Sequence, residues 1–98
     1  MKNYKIIVYV LDRNCPPCEL MKTYVSEVCT LKGREHEIVQ VTGYSEHPLI
    51  PIGLSQYPWT VLQNRDVSSN ALVSITDESI IDNFYGADNS RLDLMMEL

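Results

Sequence analysis

Cys15-Pro16-Pro17-Cys18 places two thiols three residues apart, at the point where an apolar, strand-like run gives way to a helical pattern. In a helix, a residue at the N-terminus and one three positions later share a face, so the two sulfurs can reach disulfide distance without remodelling the backbone. The helix terminus also supplies unpaired N–H groups and the positive end of the dipole, which favour thiolate and lower a thiol pKa. Cys15, at the terminus, is the expected nucleophile. Cys18, one turn inside and better protected, is the expected resolving thiol, attacking a Cys15 mixed disulfide to release reduced substrate.

The two prolines suit this position, because the first helical turn lacks intrahelical partners for its N–H groups and the fixed proline φ is already helical. They also delete the N–H groups of residues 16 and 17, leaving Cys18 N–H as the nearest expected donor to the Cys15 sulfur. With no His or Lys between the cysteines, a moderate pKa depression and a reducing or intermediate potential are expected. A zinc site completed by Cys29 and His36 is the competing use of such a pair, and no metal is expected. Cys29 lies eleven residues beyond Cys18, roughly 16 Å along a helix axis at 1.5 Å per residue, too far to share a coordination sphere. Cys29 reads as a core residue on the helix's apolar face. A dithiol with a purely structural role, or none, is the other competing reading.

The elements that position the pair follow from periodicity. Residues 4 to 11 are rich in β-branched and aromatic side chains, as in a central strand covered on both faces. From Pro16 to about Lys32 the apolar residues Met21, Tyr24, Val25, Val28, Cys29 and Leu31 recur at helical steps, and Gly33 ends the run. His36 to Thr42 contains Ile38-Val39-Gln40-Val41, a second strand, so the βαβ default is a right-handed crossover. Pro48 and Pro51 leave room only for a short helix near Leu49 to Leu54. Trp59 to Leu62 reads as a third strand directly after Pro58. Ala71 to Thr76 and Ser79 to Tyr85 are two further extended pieces, one or both of them strands. Asp88-Asn89-Ser90 offers N-cap side chains for a final helix bearing Leu92, Leu94, Met95 and Leu98.

Ninety-eight residues suit one domain spanning 1–98. The chain is 45% hydrophobic, with thirteen acidic residues against eight basic ones and a formal charge of -5, and no basic run suits a nucleic-acid or anionic-membrane partner. The apolar stretch Ile6 to Leu11 is too short to span a bilayer and has no small-residue cleavage site after it, which implies a cytoplasmic chain. An odd cysteine count fits that reducing setting better than a disulfide-stapled secreted domain.

Strand, C-P-P-C at a helix start, second strand, and Tyr57-Pro58 leading into another strand together resemble the thioredoxin superfamily over most of the chain. The resemblance implies an α/β thioredoxin-like fold: a central mixed sheet of about four strands flanked by helices. It implies a cis-proline at Pro58, facing the cysteines, with neighbouring backbone that pairs with the extended chain of a substrate. The first strand opens almost at residue 1 and the dithiol arrives by residue 15, which looks more like a glutaredoxin than a full-length thioredoxin. Tyr85-Gly86-Ala87-Asp88-Asn89 resembles the glutaredoxin motif of two glycines and two aspartates that helps to hold glutathione; Gly86 and Asp88 match, while Tyr85 and Asn89 depart. Asp88 can serve there as a substrate ligand or simply as a helix cap.

Asn14 before C-P-P-C, and Gln56-Tyr57 before Pro58, match neither glutaredoxins nor thioredoxins. The buried acid that many thioredoxins carry on the first strand has no counterpart in residues 4–11, and Asp12 reads as a solvated loop residue. What the resemblance implies is a monomeric dithiol thiol-disulfide oxidoreductase acting on protein or glutathione mixed disulfides. It binds no cofactor, is re-reduced by glutathione or a thioredoxin-reductase-type flavoprotein, and can donate electrons to ribonucleotide reductase. Tyr57, Pro58 and Asp88 are its candidate substrate contacts. The alternative is a non-catalytic thioredoxin-fold binding module. Trp59 is expected in the core rather than flanking the site, and His36 and His47 are expected at the surface or in loops.

Overall fold

The computed structural model describes residues 3–11, 14–41, 56–66 and 75–98. Asp12, His47, the expected helix at Leu49–Leu54 and most of the expected strand at Ala71–Thr76 lie outside them; Ile75 and Thr76, from that strand, form a turn.

The elements run β1 (Tyr4–Leu11), α1 (Pro16–Lys32), β2 (His36–Val41), β3 (Trp59–Asn64), β4 (Ile80–Tyr85) and α2 (Asn89–Met96). Among the described residues, one four-stranded sheet has the order β2-β1-β3-β4. β1 pairs with β2 in parallel, Val8 opposite Ile38, which requires the α1 crossover between them. β3 runs antiparallel to both β1 and β4, so the sheet is mixed, as expected of a thioredoxin-like fold.

β1 is one of the two interior strands, and its unbroken apolar run is explained by burial on both faces. Ile6, Val8 and Val10 point to one side and join Cys18, Met21, Val25 and Cys29 of α1 with Leu92, Met95 and Met96 of α2. Ile7 and Tyr9 point to the other side, with Val39, Val41, Trp59 and Val61. Both described helices therefore cover the same face of the sheet. Residues such as Met21 and Val25, fully buried, each stabilise the fold by roughly 1.5–3 kcal/mol relative to exposure. An Asp at either position would leave an unpaired charge in this cluster and break the α1 packing.

Two helical stripes differ from expectation. On α1 the buried residues are Cys18, Met21, Val25 and Cys29, while Leu31 is 84% exposed, because a stripe advancing by three or four residues from Cys29 passes Leu31 by. On α2 the buried set is Leu92, Met95 and Met96. Leu94 is on the opposite side, and Leu98 lies past the helix end; both are exposed. Gly33 ends α1 in the left-handed conformation, φ 69°, as expected of a glycine there. Its N–H donates to Thr30 O and Arg34 N–H donates to Cys29 O at 2.9 Å, the paired bonds of a Schellman motif.

β3 is two residues longer than its apolar run suggests. Gln63 is fully buried, yet its side chain is satisfied: Nε2 donates to Ser79 Oγ at 3.2 Å, and Arg65 donates to Gln63 Oε1 at 2.6 Å. Opposite it, the register jumps from Leu62 with Asp82 to Gln63 with Ile80. Ile81 is the extra, bulged residue, and the bulge turns Ile80 to the Trp59 face. His36 opens β2 half-buried, so it is a strand residue rather than a loop one.

Candidate dithiol site

The C-terminal end of β1 leads through a three-residue connection to Cys15, the N-cap of α1. Cys15 has a non-helical backbone, φ -147° and ψ 87°, and its carbonyl accepts from Glu19 N–H at 3.1 Å, closing the first helical turn. Pro16 and Pro17 fill the next two positions, and Cys18 follows as the third. The Cα atoms of Cys15 and Cys18 are 5.2 Å apart and the two sulfurs are joined as a disulfide, within the usual span for such a bridge.

The two sulfurs differ in access. Cys15 is half-buried, whereas Cys18 is 1% exposed and enclosed by the cluster beneath α1. That asymmetry is what an attacking and a resolving thiol require. The expected Cys18 N–H bond to the Cys15 sulfur is not formed in this disulfide state: Cys15 makes no side-chain cap hydrogen bond.

Pro58 reaches the same end of the sheet from the opposite direction. Trp59 pairs with Tyr9 on β1, and continuing that antiparallel register brings Pro58 beside Val10. The Tyr57–Pro58 bond is cis and Pro58 is buried. Its carbonyl accepts from Gly86 N–H at 2.9 Å, with Gly86 at φ 86°, a conformation that a side chain would strain. Tyr57 is half-buried and packs against the hydrophobic clusters of both sheet faces; burial raises the pKa of its phenol. Cys15, Cys18, Tyr57, Pro58 and Gly86 thus share one end of the sheet.

Asp88, two residues further on, is the N-cap of α2. Its Oδ1 accepts from Arg91 N–H at 3.0 Å, satisfying one of the donors that a helix start leaves unpaired. Arg91 then ties α2 to β4 through Asp82 at 3.0 Å and Asn83 O at 3.1 Å, its guanidinium lying over the Phe84 ring. Trp59 is fully buried, as expected. It stacks between Tyr9 and Tyr85, and its Nε1 donates to Asn83 Oδ1 at 3.0 Å. Cys29 is fully buried in the core, as its place on the helix suggested. Burial pushes its thiol up to about 11, against a weaker pull from Arg34 in the other direction.

One polar atom went unnoticed in the sequence. Thr60 is fully buried and its Oγ1 has no hydrogen-bond partner among the described residues. The signal was a lone hydroxyl inside the apolar run Trp59-Thr60-Val61-Leu62, which passes for an ordinary β-branched strand residue.

No protein-family model and no curated protein matches the sequence. Solved structures do match. Thioredoxin f2 of Chlamydomonas reinhardtii superposes with a TM-score of 0.73 at 11% identity, over 99% of this chain and 79% of that one. The germline-specific thioredoxin Deadhead of Drosophila melanogaster gives 0.64 at 15% identity, over 98% and 80%. Mitochondrial thioredoxin 3 of Saccharomyces cerevisiae gives 0.62 at 17% identity, over 99% and 79%. The fold is therefore thioredoxin-like across the chain. A C-x-x-C pair at the start of its first described helix accompanies that fold.

Proposed function

We propose that the protein is a thiol-disulfide oxidoreductase that reduces protein disulfides by a dithiol mechanism. The observation that carries this reading is the Cys15–Cys18 bridge at the start of α1, with one sulfur accessible and the other enclosed. Cys15 thiolate attacks a substrate disulfide, forming a mixed disulfide and expelling one substrate thiolate. Cys18 then attacks the Cys15 sulfur, closing the Cys15–Cys18 bond and releasing the second substrate thiolate. Two electrons pass from the dithiol to the substrate, and the protein needs no bound cofactor.

The thioredoxin-like superposition supports a protein substrate, whose extended chain would lie beside Tyr57 and Pro58. Because the Pro58 carbonyl is already committed to Gly86, the main chain of Tyr57 is the docking element. Glutathione enters this reading as a reductant, with a thioredoxin-reductase-type flavoprotein as the other electron source. Asp88 caps α2 through Oδ1 and keeps its other oxygen open to a ligand, so both electron sources belong to this reading. Ribonucleotide reductase fits as an acceptor on chemical grounds, being an enzyme that must have a disulfide reduced at each turnover. A cytoplasmic location suits a pair held reduced between turnovers.

The test is turnover of insulin disulfides by the purified chain, with reduced glutathione or a flavoprotein reductase as electron source. Wild type should accelerate reduction, Cys15→Ser should abolish it, and Cys18→Ser should accumulate a mixed disulfide on Cys15. No acceleration with either reductant, together with partner binding that is indifferent to Cys15→Ser, would make the chain a binding module instead.

A further inference from the structure

Thr60 is the second residue of β3, opposite Val8 on β1 and Phe84 on β4. Side chains directly opposite one another across a sheet lie on the same face, and Val8 and Phe84 both belong to the cluster that encloses Cys18. Thr60 thus points toward α1 rather than toward Trp59. Along its own strand it shares that face with Pro58, two residues earlier, at the dithiol end of the sheet. Its hydroxyl is fully buried and has no partner among the described residues. Valine would fill the same space without leaving a polar group unsatisfied, so the hydroxyl needs an explanation beyond packing.

The structure holds the dithiol in its oxidised state. There the Cys18 sulfur is bonded to Cys15 and is a weak acceptor. In the reduced state the same sulfur can become a thiolate, a charged acceptor in a low-dielectric site, where one donor matters most. We propose that Thr60 is a positioning residue for Cys18, its orphaned hydroxyl turning to donate to the Cys18 sulfur when the disulfide opens.

The step balances without a further reactant. Cys15 thiolate expels the first substrate thiolate, which takes the Cys18 thiol proton. Cys18 thiolate, held by the Thr60 hydroxyl, then attacks the Cys15 sulfur and expels the second substrate thiolate. Thr60 neither gains nor loses a proton; it lowers the cost of the buried thiolate and orients it. The inference rests on the redox reading of the dithiol.

Its experiment is equilibration of the full chain in glutathione buffers, which needs no substrate turnover. If Thr60 stabilises the reduced state by one hydrogen bond, Thr60→Val should shift the equilibrium toward the disulfide about fivefold, equivalent to about 20 mV more reducing. Thr60→Ser, which keeps the hydroxyl, should stay within about twofold of wild type, on the same reasoning. The oxidised form of Thr60→Val should resist denaturant at least as well as wild type, because an unsatisfied group has been removed, whereas its reduced form should lose stability relative to the oxidised one. Thr60→Ala gives the same redox shift by a second route if the valine variant misfolds. An unchanged redox equilibrium in the hydroxyl-free variants, or a serine variant that shifts as far as they do, overturns the role of Thr60. Failure of wild type to form the disulfide at all overturns the redox reading itself.

Discussion

The two described helices begin in nearly the same backbone geometry and solve the same problem in opposite ways. Cys15 and Asp88 are both non-helical N-caps, at φ -147°, ψ 87° and φ -134°, ψ 97°. α2 satisfies a free N–H of its first turn with the Asp88 carboxylate. α1 instead deletes two of those donors with Pro16 and Pro17 and leaves its cap side chain without a cap hydrogen bond. An N-cap spent on holding the helix is structural; one relieved of that duty can react. Prolines let α1 start without a capping side chain, so a sulfur can stand where a carboxylate or hydroxyl usually does.

The contrast breaks most visibly if a sulfur inside α1 behaves like the one at its end. Cys29 lies on the same buried stripe as Cys18, and burial raises its pKa to about 11. At pH 8 only about one molecule in a thousand carries a Cys29 thiolate, and the thiolate is the reactive form. Reduced native protein treated with iodoacetamide should therefore be modified at Cys15 while Cys29 stays free until the chain is unfolded. Rapid native labelling of Cys29, read by peptide mass, would show that position in the helix does not govern reactivity here.

A smaller effect is expected from restoring a donor to the α1 terminus. Pro17→Ala returns an N–H to the first turn, within reach of the Cys15 sulfur, and a hydrogen bond to a charged group contributes roughly 1.5–3 kcal/mol. Stabilising the thiolate stabilises the reduced protein, so the Cys15 pKa should fall and the reduction potential rise, by about 30 mV for a tenfold change. Wild type is expected on the reducing side of roughly -150 mV, a value between thioredoxin and DsbA. A potential that does not move in Pro17→Ala would mean that the prolines serve rigidity alone.

The placement of the dithiol was legible because it depends on local order: a strand that ends, two cysteines, and a helix that begins. The dithiol, β1, α1, β2 and Trp59 in the core follow from that order and from apolar periodicity. What escaped depends on contacts distant in sequence. Gln63 looks like the end of a strand until Ser79 and Arg65 satisfy it, and the bulge at Ile81 cannot be seen without the partner strand. Apolar character alone does not tell Leu31 from Cys29 on α1, or Leu94 from Met96 on α2; the buried stripe selects by angle. Asp88 stood between a ligand and a cap, and the bond to Arg91 N–H shows the cap in use.

That bond supplies the next test. Asp88→Ala removes a carboxylate cap, and the usual cost is about 1 kcal/mol of stability. Urea unfolding should show that loss, Asp88→Asn should recover most of it, and neither variant should alter the redox equilibrium of the Cys15–Cys18 pair. A change in that equilibrium with stability intact would move Asp88 from the structural side of the comparison to the reactive side.

The smallest effect belongs to a carboxylate doing the work of Asp88 outside a helix. Asp77 accepts from Ser79 N–H at 2.8 Å in the turn before β4, and hydrogen bonds from the side chain and backbone of Ser79 hold its pKa below the usual 3.8. A carboxyl whose pKa is depressed by folding contributes stability while ionised. That contribution is fully present above the unfolded value and fades as pH falls through the folded one. Acid titration of stability should therefore show a slightly shallower loss below pH 3.8 in Asp77→Asn than in wild type, with the two alike in slope at neutral pH. Asp77 is half-buried in a surface turn, and partial solvent screening keeps the difference small. An acid slope identical in the two proteins would show that a carboxylate accepting a main-chain N–H gains nothing from its charge in this turn, and that the contrast between the helix starts lies in hydrogen-bond geometry rather than electrostatics.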